Sequence, residues 1–251
     1  MMQKILVILP YKQSSSQGNE LKLSLRCWKK FCKFDYHFIV IGEFDEYFKI
    51  EFPWVEFIKC KSIEKIKGQY NPHLDIQNKF NIIKEIYSNI YNGFIYMTDD
   101  EYAIKPFELE DITTVHYLSK SFIGQKDKPT WFWNHDKWKT RQLLDKEKLP
   151  HINYTTHYPY YMEFGKLEEI CIKFNMLHES YVFDDVYFNY FEHDKPILVN
   201  TIRLGIWSKE IYDNEFNNAI NNPNIKFVCN SVKGWCKELE NSLEQILKEE
   251  S

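Results

Sequence analysis

Short apolar runs alternate with amphipathic stretches along the first hundred residues. Apolar runs predict strands over residues 4–9, 36–41, 54–60 and 94–97, and apolar side chains at helical spacing predict helices over 19–32 and 75–91. The first strand is rich in leucine and β-branched residues and is followed at once by Pro10. This alternation predicts an α/β fold with a mostly parallel central sheet flanked by helices.

The second half of the chain has a less regular pattern. It predicts short strands over residues 121–124 and 225–229, and helices over 135–148, 164–174, 181–191 and 235–249. In the last of these, leucines recur every four residues among charged side chains, so we expect it to pack on the core. A chain of 251 residues is long enough for one α/β domain, and we expect residues 1–251 to form a single domain.

Composition excludes several classes of protein. A net charge of -4 and a pI near 6.1 give no general attraction to nucleic acid, so no nucleic-acid partner is expected. The six cysteines include no Cys-x-x-Cys pair, so the sequence does not indicate a zinc ribbon or a thioredoxin-like protein. No apolar run reaches the length of a membrane span or of a signal peptide's core. We therefore expect a cytoplasmic protein with at most peripheral membrane contact.

Three consecutive carboxylates, Asp99, Asp100 and Glu101, directly follow the predicted strand 94–97. Like charges at the end of a buried strand repel one another and are costly to desolvate, unless a cation offsets that cost. Mg²⁺ commonly accepts one or two protein carboxylates together with water and phosphate oxygens, which indicates a nucleotide-like ligand. The alternative is an exposed turn whose acids are simply solvated. Loops 11–18 and 98–101 both follow parallel strands, so they are expected at one edge of the sheet, where ligands of such sheets bind.

The order of short motifs resembles a known family. Pro-Tyr-Lys at 10–12, Glu-Leu-x-x-Ser-Leu-Arg at 20–26 and Thr-Asp-Asp-Glu at 98–101 look like nucleotide-sugar-dependent glycosyltransferases of the Rossmann-like GT-A fold, with a DXD-type motif. The chain is also similar to their relatives, the Stealth-type sugar-phosphate transferases of capsule synthesis, and Thr-His-Tyr-Pro at 156–159 matches a later motif of that group. The resemblance implies a nucleotide-binding half, 1–107, and an acceptor-side half, 108–251.

What the resemblance implies is a glycosyltransferase that uses Mn²⁺ or Mg²⁺ to hold the diphosphate of a nucleoside-diphosphate sugar, with a UDP-sugar favoured and a glycan or lipid-linked hydroxyl as acceptor. The metal ligands are expected among Asp99, Asp100, Glu101 and His157. The donor-binding residues are expected to be Pro10, Tyr11, Lys12, Arg26, Asp99 and His157. For His157 the alternative is a loop histidine bonded to the backbone, and Arg26 could equally pair with Glu20 or another neighbour.

Transfer to a hydroxyl also requires a base, and a carboxylate is the usual choice. Asp184 and Asp185 are the candidates, because they are similar to the acidic motif that opens a late helix in GT-A enzymes; Asp185 is preferred. The alternative is a pair of acids stabilised by a helix N-terminus. His73, His135 and His151 are expected at the surface. Two other functions stay open: a Stealth-like hexose-1-phosphate transferase, and a non-catalytic protein that binds a sugar or a nucleotide.

Overall fold

The computed structural model describes residues 4–66, 69–120, 132–191 and 195–249. The strands are β1 (Ile5–Lys12), β2 (Tyr36–Glu43), β3 (Val55–Lys59), β4 (Glu64–Ile66), β5 (Gln69–Tyr70), β6 (Gly93–Tyr96), β7 (Glu101–Ala103), β8 (His116–Tyr117), β9 (Tyr160–Glu163), β10 (Ile197–Leu198), β11 (Arg203–Ile206) and β12 (Phe227–Asn230). The helices are α1 (Glu20–Phe31), α2 (Tyr47–Glu51), α3 (Pro72–Tyr87), α4 (Leu109–Thr113), α5 (Phe132–Glu147), α6 (Phe164–Lys173), α7 (Phe183–Tyr190), α8 (Tyr212–Asn221) and α9 (Lys237–Lys248). Short 3₁₀ turns cover Gln13–Ser15, Val199–Thr201 and Lys209–Ile211.

The central sheet has the strand order β3-β2-β1-β6-β9. Strands β1, β2, β3 and β6 are parallel, and β9 joins the edge antiparallel to β6. The predicted α/β fold with a mostly parallel sheet flanked by helices is therefore confirmed. The parallel arrangement also places the loop after β1 and the loop after β6 at the same edge of the sheet, as expected.

Two apolar layers cover the faces of this sheet. Successive residues of a strand point to opposite faces, and in β1 Val7 and Leu9 belong to one layer while Leu6 and Ile8 belong to the other. Helices α1 and α9 close the first layer, with Trp28 buried at its centre. Helices α3, α6 and α7 close the second layer. The C-terminal helix thus packs on the core, as its leucine spacing predicts.

A second, three-stranded sheet has the order β11-β12-β7. Strand β7 begins at Glu101, the last of the three acidic residues, and pairs antiparallel with β12, so the turn at 98–100 joins the two sheets. The sequence pattern missed β7, β9 and β11, which have three or four residues each and no periodicity of useful length. The predicted strand 121–124 lies outside the described residues.

Two further observations concern the cysteines and the helices. All six cysteines are free thiols. Within the described ranges, none of the helices combines the length and the apolar character needed to span a bilayer.

Candidate functional site

Residues 98–101, here called the acidic tip, form the turn between β6 and β7. The strand before the turn is buried, while Thr98, Asp99 and Asp100 are partly exposed. The Thr98 hydroxyl donates to Asp100, and the Thr98 backbone N–H donates to the Glu101 carboxylate at 3.1 Å. The backbone of the turn is also held from α1, because the Ser24 hydroxyl donates to the Glu101 carbonyl at 2.9 Å. Hydrogen bonds therefore fix the turn, and they leave the carboxylates of Asp99 and Asp100 partly exposed.

The carboxylates of the tip perturb one another. Burial, and then the charge of Asp100, raise the pKa of Asp99 from 3.8 to about 7. Burial and the Asp100 charge also raise the pKa of Glu101 well above its ordinary range. Burial acts to raise the pKa of Asp100 as well, but the hydrogen bond and charge of His157 outweigh it and lower that pKa. Negative charge at the tip is thus only partly compensated.

A fourth carboxylate lies next to the tip. Glu20, at the start of α1, is 4% exposed, and burial raises its pKa, with the Asp100 charge acting in the same direction. Its oxygens accept hydrogen bonds from the Asn230 side chain at 2.8 Å and from the Gln17 N–H at 2.6 Å. Strand β12 thus stabilises the acidic region through Asn230, a contact between residues 210 positions apart that no local pattern predicts.

His157 lies beside the tip, as its proposed role requires. Its Nδ1 is 3.5 Å from Oδ2 of Asp100, and its ring meets Trp207 edge-on at a centroid distance of 5.5 Å. The backbone of His157 has a φ of 45°, a conformation that is uncommon for residues other than glycine and that recurs at functional sites. Of the four expected metal ligands, His157 and Asp100 are therefore in contact, Asp99 is the neighbour of Asp100 in the turn, and Glu101 is buried.

A cavity of about 180 Å³ opens between the tip and the start of α7. Its walls come from four separate parts of the chain: Pro72, His73, Ile76, Tyr96, Thr98, Glu101, Thr155, His157, Tyr160, Phe183 and Asp184. Motifs that are far apart in the sequence, the acidic tip, His157 and the acidic start of α7, thus share one cavity.

The two candidate bases differ sharply in their surroundings. Asp185 is fully buried, and its carboxylate accepts hydrogen bonds from the Tyr154 N–H at 2.5 Å and the Thr155 hydroxyl at 3.2 Å. Asp184 lines the cavity, and burial raises its pKa, with the charges of His73 and His157 opposing that rise. The structure therefore places Asp184 at the cavity and holds the preferred Asp185 in hydrogen bonds to the loop at 154–155, and which of the two acts as a base stays a prediction.

His73 contradicts the prediction that was made for it. It was predicted at the surface, yet it is 4% exposed, lines the cavity, and has Nδ1 2.8 Å from Oδ2 of Asp136. Burial raises the pKa of Asp136, but the bond and charge of His73 outweigh it and lower that pKa. His135 and His151 do have side chains about one-third exposed. The signal that could have found His73 is Asn71-Pro72, which caps and opens α3 immediately before it.

The expected donor-binding residues are more scattered. Pro10 and Lys12 lie at the end of β1, with Lys12 opposite Glu43 of β2. The Tyr11 ring is 4% exposed and packs edge-on against Phe48 at 6.3 Å, so most of the ring belongs to the core. Burial raises the pKa of Tyr11 to about 12.

Arg26 is not brought to the acidic tip. Its guanidinium lies 2.7 Å from the Glu244 carboxylate of α9, with both side chains partly exposed. The structure thus favours the open alternative, a pairing with a neighbour, over phosphate contact.

A larger cleft of about 1090 Å³ lies at the carboxyl ends of β1, β2 and β3. Its lining combines apolar surface with polar side chains and includes two lysines: Gln13, Ser14, Gly42, Glu43, Phe44, Lys59, Cys60, Lys61 and Ser62. This is the edge of a parallel sheet at which nucleotides bind in open α/β folds.

The side chains at the tip can be compared with the ligands that a divalent cation requires. Across the ranges that the structure describes, no three His, Cys, Asp or Glu side chains are grouped so that they could hold an ion by themselves. Mg²⁺ in nucleotide sites typically needs one or two carboxylates, because water and phosphate oxygens fill the remaining positions. Asp99 and Asp100 fit that smaller set, and a cation would relieve the repulsion that raises the pKa of Asp99.

Comparisons with known proteins give the following. No protein-family model matches the chain, and no curated protein matches it. Among solved structures, it is similar to the apo form of the glycosyltransferase GlyE of Streptococcus pneumoniae, at 10% identity over 99% of this chain and 61% of that one, with a TM-score of 0.44. The chain thus spans less than two thirds of that protein's length.

Two other solved structures are similar over nearly their whole length. One is a glycosyltransferase involved in glycosylation of the major capsid of PBCV-1, at 12% identity over 96% of this chain and 99% of that one, with a TM-score of 0.44. The other is mouse xyloside xylosyltransferase 1 in its apo form, at 9% identity over 94% and 100%, with a TM-score of 0.46. Structural similarity at this level does not establish an activity. A proposal about function therefore rests on the chemistry of the site.

Proposed function

We propose that this chain is a metal-dependent glycosyltransferase, which moves a sugar from a nucleoside-diphosphate sugar to a hydroxyl group of a glycan or another acceptor. One observation carries the proposal: Glu101 of the acidic tip and Asp184, which are 83 positions apart in the sequence, border a single small cavity. A larger cleft lies at the carboxyl ends of the strands, the edge at which nucleotides bind in open parallel sheets.

In this proposal Asp99 and Asp100 hold Mn²⁺ or Mg²⁺, and His157 neutralises Asp100 or a phosphate oxygen. When bound, the cation neutralises the negative charge that develops on the departing nucleoside diphosphate. Lys59 and Lys61 lie in the cleft at the strand ends, where they can contact the nucleotide. UDP is the favoured nucleotide by family resemblance.

Asp184 is the proposed base. It takes the proton from the acceptor hydroxyl as the acceptor oxygen bonds to the anomeric carbon, and the bond from that carbon to the diphosphate oxygen breaks. The products are a glycoside and a nucleoside diphosphate. The cavity walls of Tyr96 and Phe183 exclude water around the reacting carbon, which strengthens the electrostatic interactions there.

The test is slow hydrolysis or transfer with a panel of UDP-, GDP- and CDP-sugars in the presence of Mn²⁺. We expect release of a nucleoside diphosphate by the unaltered chain, and loss of release in Asp99→Asn, Asp100→Asn and Asp184→Asn. Asp145→Asn is the matched control, because Asp145 is an exposed carboxylate on α5. Release of a nucleoside monophosphate would instead indicate a hexose-1-phosphate transferase, and binding with no product would indicate a non-catalytic binding protein.

A further inference from the structure

Arg203 of β11 carries a positive charge into the interior of the protein. The residue is 2% exposed, and its Nη1 donates to the sulfur of Cys229 at 3.3 Å. Burial raises the pKa of Cys229 to about 12, so this acceptor is a neutral thiol and a weak one. Nε and Nη2 of Arg203 have no hydrogen-bond partner within the part of the chain that the structure describes. A buried charge in this state destabilises the fold, which indicates that it is retained for a ligand.

The two nitrogens without a partner are those that can bind one anion together. Nε and Nη2 are neighbours on one edge of the planar guanidinium, and their N–H bonds on that edge run parallel. A carboxylate or a phosphate accepts both bonds at once, and such bidentate pairs are among the strong hydrogen bonds of proteins. The unsatisfied edge of Arg203, here called the fork, therefore has the geometry of an anion site.

Trp207 covers the fork. A Cβ at Gly205 would lie 2.3 Å from Nη1 of Arg203 and 2.5 Å from the Trp207 ring, so the guanidinium and the ring both use the space that this glycine leaves open. The guanidinium carbon is 5.5 Å from the centre of the ring, which is a cation–π distance. Trp207 itself is 41% exposed. A side chain in contact with solvent thus lies over a buried charge, and its rotation opens the fork.

A cavity of about 460 Å³, here called the β11 cavity, borders this arrangement. Its lining includes the guanidinium-bearing residue, the glycine and the tryptophan, together with three amides: Arg203, Gly205, Trp207, Asn200, Asn218 and Asn222. An aromatic ring can pack on the apolar face of a sugar, and amide side chains can bond its hydroxyl groups. Since about 150 Å³ holds benzene, this volume is sufficient for a sugar ring with its substituents.

The charges around the fork favour a carboxylate over a phosphate. Glu215 lines the β11 cavity, and its negative charge opposes a second anion. The charge of Arg203 also acts on Glu101, where it lowers the pKa, although burial and the Asp100 charge outweigh it. One guanidinium balances one negative charge, whereas a phosphate monoester carries about -1.5 to -2 at pH 7. A single carboxylate therefore suits this site better.

The β11 cavity is separate from the regions assigned to the donor. Among the described residues, its lining shares none with the cavity beside the acidic tip or with the cleft at the strand ends. Trp207 connects it to the tip, because its ring meets His157 edge-on at 5.5 Å and His157 contacts Asp100. Two side chains therefore separate a ligand in the β11 cavity from the carboxylates of the tip.

We propose that the β11 cavity binds an acidic sugar of the acceptor, a uronic acid or another sugar that carries a carboxylate. The Trp207 ring turns aside and packs on the sugar, and the fork of Arg203 binds the carboxylate. Arg203 is thus a specificity-determining residue that selects acidic over neutral acceptors. The assignment rests on the proposed function, which supplies the donor for this acceptor, but binding of the acid requires neither metal nor nucleotide.

The first experiment measures binding by NMR titration without metal or nucleotide. The probes are the methyl glycosides of glucuronic, galacturonic and N-acetylneuraminic acid, with methyl glucoside as the neutral match and methyl glucoside 6-phosphate as the phosphate. We expect at least one acid to bind roughly 10-fold or more tightly than methyl glucoside, the effect of a charge-assisted pair. Equal affinity for the acids and the neutral sugar, or tighter binding of the phosphate than of every acid, would overturn the proposal.

Variants then assign the preference to the fork. Arg203→Gln should abolish it, and Arg203→Lys should reduce it, because an ammonium group lacks the parallel pair of donors. Arg141→Gln is the control, since Arg141 lies on α5 beside Asp145. Binding should change the tryptophan fluorescence of the unaltered chain but not of Trp207→Phe. A preference for acids that survives Arg203→Gln, or a fluorescence change of equal size in Trp207→Phe, would contradict the proposed contacts.

Thermal unfolding distinguishes a ligand-binding arginine from a structural one. Arg203→Met keeps most of the side-chain volume and removes an unpaired buried charge, so we expect a melting temperature equal to or above that of the unaltered chain. A clear decrease would mean that the fold itself requires the guanidinium, and it would overturn the proposal.

The last comparison separates this site from the proposed function. With Mn²⁺, Arg203→Gln should bind UDP as the unaltered chain does, and weaker UDP binding would mean that the fork serves the donor diphosphate, which overturns the proposal. If acidic glycosides bind through Arg203 but no sugar nucleotide gives a product, the acidic-sugar site stands and the glycosyltransferase function fails. If donor hydrolysis occurs and no acidic glycoside binds, the function stands and this site fails.

Discussion

Asp99 is a residue at which the proposed function reduces the stability of the fold. Burial and the neighbouring Asp100 raise its pKa from 3.8 to about 7, so the folded chain retains a proton that the unfolded chain has already lost between these values. Because the folded state binds more protons in that range, stability falls as the pH rises from about 4 to about 7. Replacing Asp99 by asparagine removes this cost.

The size of the effect follows from the shift. A pKa change from 3.8 to about 7 corresponds to about 4 kcal/mol if it is fully expressed. Asp99 is partly exposed, so solvent screening is expected to leave about half, roughly 2 kcal/mol at pH 8 and less than half of that at pH 5. For a chain of this length, that predicts a melting temperature about 4–8 °C higher for Asp99→Asn at pH 8 without metal.

The assay is thermal unfolding in EDTA at pH 5 and pH 8 for the unaltered chain, Asp99→Asn and the control Asp145→Asn. We expect the gain of Asp99→Asn to be clearly larger at pH 8, and no change in the control. Addition of Mn²⁺ with UDP should reverse the order, because only the unaltered chain has both carboxylates to bind the cation and gain stability from it.

The reasoning would be refuted if Asp99→Asn lowered the melting temperature, or raised it equally at both pH values. Either result would mean that Asp99 is not under electrostatic strain in the folded protein. The same carboxylate would then give no physical reason for a cation at the tip.

Other substitutions test the remaining assignments. Asp185→Ala should destabilise the fold by about 1–3 kcal/mol, because it leaves the Tyr154 N–H and the Thr155 hydroxyl without their acceptor, whereas Asp184→Asn should melt close to the unaltered chain but lose sugar transfer; similar melting temperatures for both variants would contradict this contrast. Gly205→Ala should be destabilising by more than 1 kcal/mol, since a Cβ at that position would lie 2.3 Å from Nη1 of the buried Arg203. Urea unfolding measures this cost, and an unchanged midpoint would show that the guanidinium moves aside freely.

The sequence predicts the parts of the fold that local patterns control. The runs that became β1, β2 and β6 are largely buried on both faces, and continuous apolar character is typical of such strands, whereas β3 lies at the edge of the sheet and is less buried. The C-terminal helix starts at Lys237, close to its predicted boundary, because its leucine spacing is regular. Strand β7 has only three residues and owes its conformation to pairing with β12, so tertiary contact and not local pattern determines it.

The site was predictable in its residue types but not in their orientation. Asp184 and Asp185 are neighbours on α7 and therefore point about 100° apart around the helix, so only the docking of α7 decides which one faces the cavity. The partnership of His73 with Asp136 depends on two helices that meet only in the folded chain. The sequence offers no signal of such a contact, apart from the helix start at Asn71.

Binding of a cation by the acidic tip is the claim on which the account depends. The most direct test is a crystal soaked with Mn²⁺ and UDP, GDP or CDP, measured at a wavelength where manganese scatters anomalously. We expect an anomalous peak within bonding distance of the Asp99 or Asp100 carboxylate and of a nucleotide phosphate. A nucleotide bound elsewhere, or bound at the strand ends with no manganese at the tip, would contradict the account.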